Sequence, residues 1–216
     1  MTEPDVVITD YLLAAECFVF AWMLWHQDGP SAWSFRGPFV AFFVATSVGS
    51  IAGGTVHGFF LSNTSSAGVV LWRGALLSIG VAAFCAWVIG ARLLAGPGAA
   101  RVIQIAASLV FVAYAVVILW VADNFRIAVV NYLPPTIFLI VGLVAAYKVH
   151  SDRALAIGAA GLVLTVVAAA IQQFRIAVHP QYFNHNALYH AIQAVGLFMI
   201  FVAARMLVAA RAGGFV

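Results

Sequence analysis

The chain has 216 residues, 65% of them apolar and 8% charged, with a mean hydropathy of +1.07. The apolar share is far above the roughly 45–50% of an ordinary soluble domain, which excludes a soluble enzyme and leaves one integral membrane domain, residues 1–216. The formal charge of +3 is spread thinly, and no basic run or aromatic-interleaved patch suggests a nucleic-acid partner.

In chain order, Met1-Thr2-Glu3-Pro4-Asp5 is acidic and has neither a basic n-region nor a small-residue cleavage site, so the first helix is expected to be retained rather than removed as a signal peptide. Apolar stretches long enough to span a bilayer predict an all-α, seven-transmembrane bundle, with helices at about 9–27, 38–61, 68–94, 101–122, 133–149, 154–176 and 186–210. Asp28-Gly29-Pro30-Ser31 separates the first two helices, Ser62-Asn63-Thr64-Ser65-Ser66 the next two, and Gly96-Pro97-Gly98 follows the third. Pro134-Pro135 is expected at a helix start, where missing N–H groups cost least. Cys17 and Cys85 sit inside spans without CxxC spacing and read as buried thiols.

Seven spans put the termini on opposite sides. Arg36, Arg92, Arg101, Lys148, Arg153, Arg205 and Arg211 cluster at one set of helix ends, against Arg73, Arg126 and Arg175 at the other. The first set is expected to be cytoplasmic, which places the N-terminus outside and the C-terminus inside. The preponderance of arginine over lysine, with abundant alanine, points to a bacterial plasma membrane. Phe125-Arg126-Ile127-Ala128-Val129 recurs as Phe174-Arg175-Ile176-Ala177-Val178, each time between a helix end and the next helix, so hairpins 4–5 and 6–7 are candidates for an internal duplication.

The polar residues within these spans are the candidates for function, because charge and imidazole are costly in hydrocarbon. Asp10, Glu16, His57, Arg73, Asp123, Arg126, Arg175, His185 and His190 all fall toward one membrane face. Asn186, His190 and Gln193 recur at helical spacing and form a polar stripe on an otherwise apolar helix seven, with His185 just before it. His57 stands near the end of helix two among Gly53, Gly54 and Gly58, which allow close approach of a neighbour or a ligand. Glu16 lies within the first span and needs a partner, for which Arg73 is the candidate. Asp123 ends helix four as a site residue or a solvated cap, and Arg126 and Arg175 suit interfacial anchors.

Imidazoles from separate helices beside a carboxylate suit zinc with an activated water. Neither HExxH nor GxSxG is present. Two other classes fit the same residues: a b-type haem held by His57 and His190, and a receptor, channel or transporter with a polar outer pocket. Retinal chemistry is set aside, because helix seven has no lysine.

His57 on helix two and Asn186-Ala187-Leu188-Tyr189-His190 on helix seven resemble the seven-helix superfamily of alkaline ceramidases and progestin/adiponectin-type receptors. In that superfamily a helix-two histidine and an HxxxH pair on helix seven hold zinc. Here His190 matches the second histidine of the pair, Asn186 replaces the first with His185 one position earlier, Gly53 stands in the place of a serine, and helix three carries Arg73 rather than an aspartate. The resemblance implies a zinc-dependent hydrolase of a membrane lipid amide or ester. His57, His190 and His185 would be ligands, Glu16, Asp10 or Asp123 base or support, and Asn186, Arg73, Arg126 and Arg175 would contact substrate.

Overall fold

The structure, a computed structural model, describes residues 1–28, 35–61 and 65–209. The expected boundary residues Gly29-Pro30-Ser31 and Ser62-Asn63-Thr64, the expected helix end at Ala210, and Arg211 lie outside them. Seven helices follow in order: α1 Pro4–Trp25, α2 Arg36–Phe59, α3 Ser66–Leu94, α4 Pro97–Val116 with a π-helical extension Val117–Val121, α5 Phe125–His150, α6 Arg153–Gln173 and α7 His185–Ala209. Each span is long and apolar enough to cross a membrane, α4 and its extension counting as one.

Local chemistry sets most of the starts. Pro4 and Pro97 occupy first-turn positions, where a missing N–H costs nothing. Ser65, Asn124, Asp152 and Asn184 each accept a backbone N–H of the following turn with a side-chain oxygen. Two expectations are corrected. Helix one starts at Pro4, not near residue 9, and Pro134-Pro135 lies inside α5, not at its start. Asn124 starts α5 a full two turns earlier than its most apolar stretch, and the neighbouring Thr136 hydroxyl donates to Tyr132 O at 2.8 Å beside the carbonyls the prolines leave unbonded.

The repeated pentapeptide does not mark a repeated structure. Phe125-Arg126-Ile127-Ala128-Val129 is the first turn of α5. Phe174-Arg175-Ile176-Ala177-Val178 terminates α6: Arg175 takes a left-handed φ of 56°, its N–H bonds Gln172 O and the Ile176 N–H bonds Ile171 O, which closes the helix with a Schellman motif. Nor do α4 and α5 pack as a hairpin.

The helices form a closed ring in the order α1, α2, α3, α5, α6, α7, with α7 returning to α1, while α4 packs outside the ring against α3. α4 is held there by Tyr114, whose hydroxyl donates to Leu76 O at 2.7 Å. Small residues bring the α6–α7 backbones together: a Cβ on Gly161 would stand 2.6 Å from Gly196 O. The interior divides along the bundle axis. Toward the C-terminal end of α1 it is a plug of Leu13, Phe20, Phe39, Phe43, Leu139, Ile200 and Phe201, with Phe20 and Phe201 stacked at 4.2 Å. Toward the N-terminal end of α1 it opens.

Candidate functional site

The opening is a cavity of about 210 Å³ reached by polar side chains from five helices: Asp10 from α1, Ser50 and His57 from α2, Tyr132 from α5, Gln172 from α6, and His185, Asn186, Tyr189, His190 and Gln193 from α7. Trp72, Ile79, Phe125 and Leu197 supply apolar walls. The stripe expected on α7 therefore faces the cavity along its whole length.

Two imidazole–carboxylate pairs hang from α1. Asp10 Oδ1 stands 3.3 Å from His190 Nε2, both residues being buried, and His190 Nδ1 stands 3.3 Å from the Thr9 hydroxyl. Thr9 is also within hydrogen-bond reach of Asp5 O and Val6 O. If Thr9 donates to its own backbone, His190 Nδ1–H donates to Thr9 and the Asp10–Nε2 contact must carry a further proton. If Thr9 donates to Nδ1, Nε2–H donates to Asp10. In either state one proton lies between Asp10 and His190. About two turns nearer the start of α1, His57 Nδ1 meets Glu3 Oε2 at 2.5 Å. Asn184 ties this layer to α7, its N–H donating to Asp5 Oδ2 at 2.9 Å and its Nδ2 to Glu3 Oε1 at 3.5 Å.

Glycines let α1 and α2 approach closely enough for these pairs to form. A Cβ on Gly54 would stand 2.8 Å from Asp10 Cβ, and one on Gly58 2.9 Å from Val7 Cγ2. The glycines expected to allow close approach around His57 thus admit α1. Gly53 differs: a Cβ there would meet Asp10 Oδ2 at an ordinary 3.7 Å, so that oxygen faces the cavity wall with space beside it.

Of the site residues expected from sequence, Asp10, His57, His185, Asn186 and His190 share the cavity. The others do not line it. Arg73 Nε donates to Asp123 Oδ2 at 3.0 Å, and Trp72 Nε1 donates to Asp123 O at 2.6 Å, so these groups clasp α3 to the segment before α5. The expected Arg73–Glu16 pair is therefore corrected. Glu16 lies about 18 Å along α1 from Pro4 at 1.5 Å per residue, and its buried Oε2 has no hydrogen-bond partner among the described residues. Arg126 and Arg175 are exposed, Arg175 close enough to His185 to act on it electrostatically.

Glu3, Asp5, Thr9, Tyr132, Gln172 and Asn184 are not among the residues the sequence singles out for the site. A signal for the acidic ones was present: Glu3 precedes Pro4, a helix-start residue, and lies seven positions before Asp10, on the same helical face. Tyr132 fell one residue outside the expected fifth helix.

The donor set does not fit zinc as arranged. Among the described residues no three His, Cys, Asp or Glu side chains stand together closely enough to hold a metal ion. His190 presents its two nitrogens to Thr9 and Asp10, whereas His57 presents only Nδ1 to Glu3, which leaves Nε2 able to meet a metal. A haem iron held by His190 would have to displace Thr9 or Asp10.

No curated protein and no solved structure matches the chain. The model of a family of unknown function, DUF6962, matches residues 6–209, nearly the whole bundle and every residue of the cavity, and the chain belongs to that family.

Proposed function

We propose that this chain is a membrane protein of receptor or carrier type that binds a small hydrogen-bonding ligand in the cavity, with Asp10 and His190 as the central recognition pair. One observation carries the reading: polar side chains from five helices converge on one cavity, while the core at the other end of the bundle is built mainly from apolar side chains. Ligand pockets in helical bundles combine apolar walls with a few convergent polar groups in this way. The excess of basic residues at the opposite helix ends supports a cavity that opens to the non-cytoplasmic side of a bacterial plasma membrane.

Thiol accessibility tests this. Cys17 and Cys85 are buried, so a cysteine introduced at Asn186 or Gln193 reports on the cavity without removing them. A membrane-impermeant thiol reagent added to intact cells should modify Asn186→Cys, and Tyr182→Cys in the exposed loop as the control. Modification of Tyr182→Cys without either cavity position would remove the reading. Modification of all of them only in inverted vesicles would reverse the sidedness.

A second reading, the metal-dependent hydrolase of a membrane lipid amide or ester, is favoured by one observation: Asp10, His57, His185 and His190 share this cavity. It requires Asp10 and His190 to exchange their present partners. Stoichiometric zinc in purified protein that is lost in both His57→Ala and His190→Ala would make it the better reading.

A further inference from the structure

A second cavity, also of about 210 Å³, lies between α5, α6 and α7 beside the first. The two share Ile79, Phe125, Tyr132, Tyr189 and Gln193 as a common wall. Their chemistry differs. The second is lined elsewhere by Val129, Leu133, Val166, Ala169 and Ala170, with Thr165 and Gln173 as its other polar side chains. Leu133 and Ala170 are exposed on the outer surface of the bundle, so this chamber reaches the bilayer-facing side between α5 and α6.

The first chamber has a carboxyl group and aromatic faces but no lysine or arginine in its walls. Asp10 uses Oδ1 toward His190, while Oδ2 lies toward Gly53 at the cavity wall and has no hydrogen bond to the described residues. An anionic head would meet that carboxyl group with no lysine or arginine among the described wall residues to receive it, and with the His57 and His190 imidazoles already turned to Glu3 and Asp10. A cationic head would meet Asp10 and the faces of Trp72, Phe125, Tyr132 and Tyr189, which attract cations through their ring quadrupoles.

We infer that the ligand is a single-chain amphiphile with a cationic amine head, the head in the Asp10 chamber and the hydrocarbon in the α5–α6 chamber. This rests on the binding function proposed above and adds the class of ligand. Tyr132, Tyr189 and Gln193 stand at the junction, where the chain passes from head to tail. Entry is lateral, from the bilayer past Leu133 and Ala170, so the tail never crosses water.

The test is photocrosslinking of full-length protein in phosphatidylcholine nanodiscs, with a dodecylammonium probe carrying a diazirine near the end of its chain. Adducts are expected on α5 and α6 around Leu133 and Val166–Ala170, competed by dodecylamine about tenfold better than by dodecyl sulfate or by ethylamine. Asp10→Asn should erase the preference for amine over sulfate. Gly53→Val, which crowds Oδ2 without removing the carboxyl group, should weaken competition in the same sense if Asp10→Asn fails to fold. Ala169→Phe should clear the α6 adducts. Equal competition by amine and sulfate overturns the cationic head, and uncompeted adducts spread over the lipid-facing side of α4 overturn the tail chamber. If Asn186→Cys is modified by the thiol reagent while the probe shows neither preference, this inference falls and the binding function stands. If Asn186→Cys and Gln193→Cys are also unreactive while Tyr182→Cys is modified, both fall.

Discussion

The two imidazole–carboxylate pairs on α1 share their chemistry and differ in their surroundings. Asp10 and His190 have side chains 4% and 10% exposed, whereas Glu3 and His57 are 28% and 20% exposed at the membrane face. Solvent near the outer pair can replace either partner when the other is removed, so the outer pair acts as a tether. The inner pair is more enclosed, with less solvent to replace a lost partner, so each group there depends more on the other. A polar contact within a membrane bundle is thus worth what its surroundings leave it without, more than what its own geometry offers.

The largest break in that comparison comes from the inner pair. Asp10→Ala and His190→Ala should each cost about 3–5 kcal/mol by leaving a buried group unpaired. The thermal midpoint of unfolding, followed by dye reaction of the buried Cys17 and Cys85, reads the loss. Asp10→Leu combined with His190→Phe should recover most of it, because removing both partners removes the orphan, while ligand binding stays abolished. Additive losses in the double variant would show that the two residues are not paired.

Next in size are the glycines beneath each pair. Gly54→Ala presses on Asp10 Cβ, which cannot move without α1, and should cost about 1–3 kcal/mol. Gly58→Ala presses on a methyl group of Val7 and should cost less. The ordering of their unfolding midpoints separates a helix contact that must shift from one that can rotate. Asn184→Ala then removes the side-chain cap of α7, which accepts from the Asn186 and Ala187 N–H groups, at about 1 kcal/mol. The contact to Asp5 should survive that change, since it is made by the Asn184 backbone.

How far these features could be read from the sequence follows from their physics. The seven spans were legible because each is a long apolar run, and the α7 stripe because its spacing is helical. Neighbourhood was not: periodicity says which face is polar, not which helix it meets, so Arg73 was matched to Glu16 when Asp123 is its partner. One hint was there to use. The α4 span has the highest hydropathy of the seven, 2.6, and only 17% of it is buried, as expected of a helix surrounded mostly by lipid. The pentapeptide shared by residues 125–129 and 174–178 misled because five residues do not determine backbone structure. Asn124 caps one copy into a helix, and the other closes α6. The zinc expectation drew on residue types that do share a cavity, and Asp10 was legible among them, but the place of Glu3 beside His57 follows only once α1 is known to begin at Pro4.

The smallest effect belongs to the outer pair and is the sharpest test of the comparison. Glu3→Gln leaves an amide that can still reach His57, and solvent at the membrane face compensates for part of the lost charge. The cost should stay under about 1 kcal/mol and shrink as salt is added, since exposed charges are screened over roughly 8 Å at physiological ionic strength. The inner pair, more enclosed by the bundle, should show a much weaker dependence. Unfolding midpoints of wild type, Glu3→Gln and Asp10→Asn across a salt series would then converge for the first two and stay apart for the third. Convergence of all three would mean that ions reach Asp10, and that the inner pair is as wet as the outer one.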